Sequence, residues 1–231
     1  MRTVRMLGAG LVAAATAIVL VALAIAPFLS PAWIAFAQDR AEADRWTGLT
    51  RPEVRTVTEA IVADLVVGPP AFDVTIRGEP VLGERERAHM RDVRAVLVGF
   101  AATAAVALAG LLATWLVTRG GAAFWAAVRL GASVVAGAVV ALGALVVVAF
   151  DLAFELFHRV FFPPGTYTFD PRTERLVQLF PERFWVETSV GIGLVLLGLA
   201  LAVRALAGRR AAVARGVDAT VPLAAPGAAG R

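Results

Sequence analysis

Residues 7–29 read LGAGLVAAATAIVLVALAIAPFL, a run without one charged side chain. About 20 apolar residues at 1.5 Å each cross the roughly 30 Å hydrocarbon core of a bilayer. The run is therefore long enough for a transmembrane helix. A signal peptide is the competing reading, because MRTVR precedes the run and Ala35-Phe36-Ala37 resembles a cleavage site. The apolar core of a signal peptide is only about 7–15 residues long, which favours a retained span. Three further stretches have the same character, at 93–117, 124–150 and 189–207. Arg94, Arg129 and Arg204 lie near the ends of these runs, where a long side chain can reach the headgroups.

The composition agrees. Of 231 residues, 59% are hydrophobic, and the mean hydropathy is +0.76. These values place the chain among membrane proteins. Cysteine is absent, which removes disulfides, a thiolate nucleophile and Cys-ligated zinc or iron–sulfur sites. The net charge is +4, and every basic residue is arginine. Arg2, Arg5, Arg119, Arg209, Arg210 and Arg215 flank the spans on one side, with Asp218 the sole acid there. The other 17 of the 18 acids fall in residues 30–92 and 151–188, mixed with arginine. The positive-inside rule then puts both termini in the cytoplasm and both acidic connections outside. This asymmetry is a topology signal and argues against nucleic-acid binding.

The expected fold class is an all-α membrane protein. It is a four-transmembrane-helix bundle with two small structured extracytoplasmic connections, built of short helices and a short strand pair. Residues 1–217 form a single integral membrane domain, and 218–231, rich in Ala, Gly and Pro, a disordered cytoplasmic tail. In the first connection, Thr50-Arg-Pro-Glu53 has the form of a capping box. Val54, Val57, Ile61 and Leu65 follow at helical spacing, and Gly68-Pro69-Pro70 ends the helix. Phe72, Val74 and Ile76 alternate with polar residues as a strand does. A helix beginning near Gly83 runs into the second span. In the second connection, Thr166 to Phe169 suits a second strand after the Pro163-Pro164-Gly165 turn. Asp170-Pro171 reads as a helix start, Pro181 restarts the chain into the fourth span, and Phe184 and Trp185 fit an interfacial aromatic belt.

The chain has two histidines, and on this topology both lie on the outer side. His89 sits in ERERAHMRDV (84–93), four residues before the second span. His158 sits in FELFHRVFF (154–162), after the third. If the third-span helix continues past the membrane edge, Asp151, Glu155 and His158 share one face, beside Phe150, Phe154, Phe157 and Phe161. Glu86, His89 and Asp92 are spaced the same way. A carboxylate beside an imidazole can fix its tautomer and raise its basicity. Serine catalysis is disfavoured, because Ser30, Ser133 and Ser189 have no histidine near them in sequence. A two-histidine, two-carboxylate metal site is conceivable, but no HExxH-like spacing is present. A histidine pair acting as general base and acid needs no further residue type and suits a substrate that carries its own nucleophile. An exposed salt bridge for His89 and an interfacial position for His158 remain the plain structural alternatives.

Two segments resemble a known family. One is Glu84-Arg-Glu-Arg-Ala-His-Met-Arg-Asp-Val93, an E-x-x-H-x-x-D-V pattern. The other runs from Phe150 to Phe162 and on through Phe169-Asp-Pro to Leu179-Phe-Pro-Glu-Arg-Phe-Trp185. They resemble the lipoprotein intramolecular transacylase family, small four-span bacterial membrane proteins first grouped as a domain of unknown function. Tyr167 departs from the pattern, standing where the family has tryptophan after the glycine turn.

The resemblance implies an enzyme of the bacterial cytoplasmic membrane with its active site on the outer face. Its substrate is a lipoprotein whose N-terminal cysteine carries a diacylglyceryl group. The sn-2 acyl chain moves to that cysteine's own α-amino group, giving the lyso form. His89 and His158 are the catalytic pair, with His89 taken as the base. Glu86, Asp92, Asp151 and Glu155 support them, and Arg91, Arg159 and Tyr167 are candidates for orienting the substrate. No metal or other cofactor is expected. The expected partners are the diacylated lipoprotein and membrane lipid. The competing functions are a metal-dependent membrane hydrolase and a non-enzymatic membrane protein that binds a partner.

Overall fold

The computed structural model describes residues 2–220. Four of its helices are long and apolar enough to cross a membrane. They are α1 (Arg2–Ile25), α5 (Glu84–Thr118), α6 (Ala122–Val148) and α9 (Glu182–Thr220). Helix α6 packs along both α9 and α1, while α1 also touches α5, so α5 joins the bundle mainly through α1. The buried positions between these helices are mostly small, including Ala24, Ala132, Ala200 and Ala207. Helix packing in lipid gains little from burial alone and depends on close backbone approach. Gly131 shows this: a Cβ there would overlap the Ala13 backbone of α1. Other glycines of the spans differ. Gly99, Gly137 and Gly143 have nothing within 4 Å of a would-be Cβ.

The two connections fold together into one cap. The first supplies α2 (Pro31–Arg40), α3 (Ala43–Thr47) and α4 (Arg51–Val66), and the second supplies α7 (Phe150–Phe161) and α8 (Arg175–Leu179). Thr50 and Glu53 form the expected capping box on α4. Val54, Val57 and Ile61 of α4 pack with Phe72, Leu82, Met90, Leu176 and Leu179, so residues of both connections share one apolar core. Buried Gln38 ties the same elements together. It donates to the Leu179 carbonyl at 2.9 Å and accepts from Thr58 at 2.9 Å.

Several local expectations are corrected. The strand pair is real but lies within the first connection: β1 (Thr75–Ile76) pairs antiparallel with β2 (Glu79–Pro80). Arg77 and Gly78 both have positive φ, 54° and 85°, the geometry of a two-residue hairpin turn that lets neighbouring residues pair. Thr166–Phe169 is irregular, so it is no second strand. Asp170-Pro171 begins a turn, and α8 starts at Arg175. Phe184 is buried in contact with Phe180 and Trp185, so it is cap core, not an interfacial belt residue. Helix α6 ends at Val148, where Ala149 leaves the helical region (φ −147°, ψ 64°), and α7 is a separate helix. Of the segment expected to be a disordered tail, residues 218–220 continue α9, and 221–231 lie outside the described residues.

Candidate active site

His89 sits on the second turn of α5, ahead of the apolar segment at 93–117 and outside it. His158 sits near the end of α7, beyond the break at Ala149. The cap brings the two rings together. Their centroids are 6.1 Å apart and their planes 24° apart, although 68 residues separate them in sequence. Both are buried, His89 at 6% exposure and His158 at 8%. Phe162 touches both rings, at 4.9 Å and 5.4 Å. Phe154 lies 4.1 Å from His158, Tyr167 lies 5.0 Å from His158, and Phe169 lies 5.5 Å from His89. The pair is boxed in aromatic side chains.

The two rings differ in their hydrogen bonds. His158 Nδ1 is 2.8 Å from the Phe154 carbonyl oxygen. A carbonyl only accepts, so Nδ1 carries the proton, and in the neutral ring Nε2 holds the free lone pair. His89 Nδ1 is buried with no hydrogen-bond partner. Burial is the main cause that lowers both pKa values. His89 falls from the usual 6.5 to about 4, the nearby His158 adding to the effect and Asp92 opposing it. For His158 the bond to Phe154 and the charge of Glu155 oppose the lowering. Both imidazoles are therefore neutral at pH 7, and neither is placed to hold a resting charge beside the other.

The carboxylates and arginines singled out by sequence divide into those that meet the pair and those that do not. Glu86, 4% exposed, faces the backbone instead of His89. It accepts from Gly83 N at 2.6 Å, capping α5, and from Leu176 N at 2.5 Å, at the start of α8. A carboxylate three residues before a histidine reads the same in sequence whichever way it turns. Asp92 is half-buried and acts on His89 through its charge. Asp151 is exposed. Glu155 accepts from Arg159 at 2.8 Å and from the Tyr167 hydroxyl at 3.2 Å, linking Tyr167 to the helix of His158. Arg91 is exposed and engaged by Glu84 at 2.8 Å. Arg159 is exposed and bound to Glu155.

In the sequence, Phe162 and Phe169 stand only as members of a longer motif. Their place against the rings is a tertiary fact, and sequence offered only their aromatic character. Nothing in the sequence sets Arg85 apart from its arginine neighbours. It donates to the Thr168 carbonyl, pairs with Glu174 at 3.4 Å and lies over the Phe169 ring at 5.2 Å.

Two neutral imidazoles held side by side among aromatic rings can accept and donate protons away from bulk water. A family model described as "Lipoprotein intramolecular transacylase Lit" matches residues 10–185. The fold matches a solved structure of the membrane integral lipoprotein intramolecular transacylase Lit from Bacillus cereus. The TM-score is 0.76 at 19% identity, over 94% of this chain and 100% of that one. Two structures of that protein with a histidine substitution also match. With arginine the TM-score is 0.74 at 19% identity, over 93% of this chain and 95% of that one. With alanine it is 0.70 at 20% identity, over 93% and 96%. At these identities the likeness is one of fold. No curated protein matches the sequence.

Proposed function

The chain belongs to the lipoprotein intramolecular transacylase family, and from that premise we propose that it moves the sn-2 acyl chain of a diacylglyceryl-modified N-terminal cysteine to that cysteine's α-amino group. The product is an N-acylated, S-monoacylglyceryl lipoprotein. The observation that carries this reading is the stacked pair of buried imidazoles, 6.1 Å apart, on two elements distant in sequence.

The reaction is intramolecular, so orientation replaces much of the entropic barrier. The α-amino group, with a pKa of about 7.7–8.0, attacks the ester carbonyl in its neutral form. As the N–C bond forms, His158 Nε2 takes a proton from the nitrogen. Neutral His89 supplies an N–H to the developing oxyanion. When the C–O bond to the glyceryl group breaks, the His158 imidazolium returns its proton to the leaving oxygen. Ester and amine become alcohol and amide, and the protein ends as it began. The bond from His158 Nδ1 to Phe154 supports His158 as the base, reversing the expectation from sequence. The aromatic surround excludes water that would hydrolyse the ester.

The arginine asymmetry supports a cytoplasmic location for both termini, which puts the pair on the outer face where a lipoprotein is anchored. The chain acts as a single membrane domain, with diacylated lipoprotein and surrounding lipid as its partners. The test is mass spectrometry of a model lipoprotein's N-terminal peptide in a host lacking N-acylating enzymes. Wild-type protein yields the N-acyl, S-monoacylglyceryl cysteine, and His89→Ala and His158→Ala leave the S-diacylated free amine. Product undiminished in either variant removes the histidine-pair mechanism. A free amine in all three strains removes the transacylase reading and favours the hydrolase or partner-binding function.

A further inference from the structure

Both imidazoles are closed off, at 6% and 8% exposure, yet a diacylglyceryl group must reach them if the proposed reaction occurs. Beside Phe154 and Phe162, which lie on or at the end of α7, what covers them is the irregular segment 163–170. Its Tyr167 lies against His158 and its Phe169 against His89. The segment is anchored at both ends by buried groups. Phe162 is 6% exposed and touches both rings. At the other end, Gln178, also 6% exposed, donates to the Pro171 carbonyl at 2.8 Å, and buried Glu86 holds Leu176 N. Between the anchors Phe169 also leans on the edge of the cap core, and the polar attachments are exposed. The Arg85 side chain is 60% exposed, and it alone bonds the Thr168 carbonyl, pairs with Glu174 and covers Phe169. Glu174 in turn accepts from Asp170 N at 2.6 Å. From the other side, the Tyr167 hydroxyl donates to Glu155 on α7. Each histidine's helix thus holds the segment by a contact in which water can compete.

We propose that residues 163–170 are an aromatic lid over the histidine pair and that Arg85 is its catch, a positioning residue whose release admits the lipidated end of the substrate. Pro163-Pro164-Gly165 and Asp170-Pro171 bound the moving part, and Gly165 has a φ of 84°, which leaves its backbone free to reorient. The buried anchors stay in place and return the lid to the same position. The nature of what enters rests on the transacylase reading, but the motion of the lid does not.

The chain has only two histidines, so their accessibility can be read directly. Diethyl pyrocarbonate modifies neutral imidazole, and mass spectrometry of the full-length protein in lipid nanodiscs at pH 7 counts each modified site. Wild type reacts slowly. Arg85→Gln and Glu174→Gln each raise the modification rate of both histidines about tenfold, as expected when a mostly closed equilibrium loses one exposed catch. The melting temperature is unchanged in both. Arg85→Lys keeps the charge and recovers part of the protection. The double variant opens no further than Arg85→Gln, because the ion pair of Glu174 with the catch runs through Arg85. Rates unchanged in both single variants overturn the lid. Acyl transfer by the wild type together with such unchanged rates removes the lid and leaves the function standing. Faster modification in the variants without acyl transfer by the wild type does the opposite.

Discussion

Leu179 in the cap and Leu142 in the bundle are the same residue in opposite circumstances. Leu179 is fully buried among Val57, Ile61 and Leu82, and Leu142 is 60% exposed on α6. The polar contacts divide the same way. Every ion pair among the described residues joins side chains of the two cap connections or the first turns of α9, as in Arg77–Glu53 and Arg40–Glu187. The cap is organised as a small water-soluble fold, with large side chains inside and paired charges outside. The bundle instead turns most of its large apolar residues outward, and alanine is the residue it buries most often among the described residues. Lipid is as apolar as leucine, so outward leucines cost nothing there and contact between helices depends on small residues. The histidine pair sits where these regions meet, on the first turns of a spanning helix and on the helix that follows another.

One chemical change made in both regions breaks the comparison most sharply. Leu179→Ala is expected to destabilise the cap by about 2–5 kcal/mol through lost burial and a cavity. Leu142→Ala is expected to change nothing measurable. Limited proteolysis of the cap and thermal unfolding in nanodiscs would show the contrast, and equal sensitivity would mean that the cap has no independent core. The reverse experiment enlarges a residue. Gly131→Val pushes α6 from the Ala13 backbone of α1 and is expected to cost about 1–3 kcal/mol. Gly137→Val on the same helix meets open space and is expected to be near neutral. Equal losses would show that α6 packs through another face.

The smallest effect lies at the seam and depends on pH. Above 6.5 both imidazoles are neutral in the folded and unfolded states alike. Between 6.5 and about 4 the unfolded chain binds a proton that folded His89 refuses, so stability falls as pH falls through this window. Glu53 and Glu187, held at about 2, stay charged in the folded protein, but their contribution to stability declines as the pH drops below 4.5 and the unfolded carboxyls protonate. The measurement is therefore the melting temperature of wild type minus that of His89→Gln at pH 7 and pH 5. The difference is expected to shrink at the lower pH. A constant difference would mean that His89 is hydrated in the folded protein.

Much of this was legible in the linear chain because its causes are local. A span is a count of consecutive apolar residues, and the capping box at Thr50 and Glu53 is a reading of neighbours. The two histidines stood out by rarity and by their acidic company. The strand pair was misplaced because alternation marks a strand without marking its partner. The Arg77-Gly78 turn let β1 pair with residues immediately after it, before any distant segment was needed. Glu86 was misread for a related reason. Helical spacing puts it near His89, but the unmet backbone donors of Gly83 and Leu176 gave the carboxylate a better use, and Leu176 is 90 residues away.

The sequence by itself therefore determined the membrane class, the four spans, the structured character of the two connections and the singularity of two histidines among them. Each follows from hydropathy, charge or composition over a short window. Only the tertiary structure decided that His89 and His158 stack, that His158 spends its Nδ1 proton on Phe154, and that Arg85 reaches the segment lying over both. Those facts depend on where α6 breaks and on how two connections share one core. They are properties of packing between distant parts of the chain, and no local pattern of residues encodes them separately.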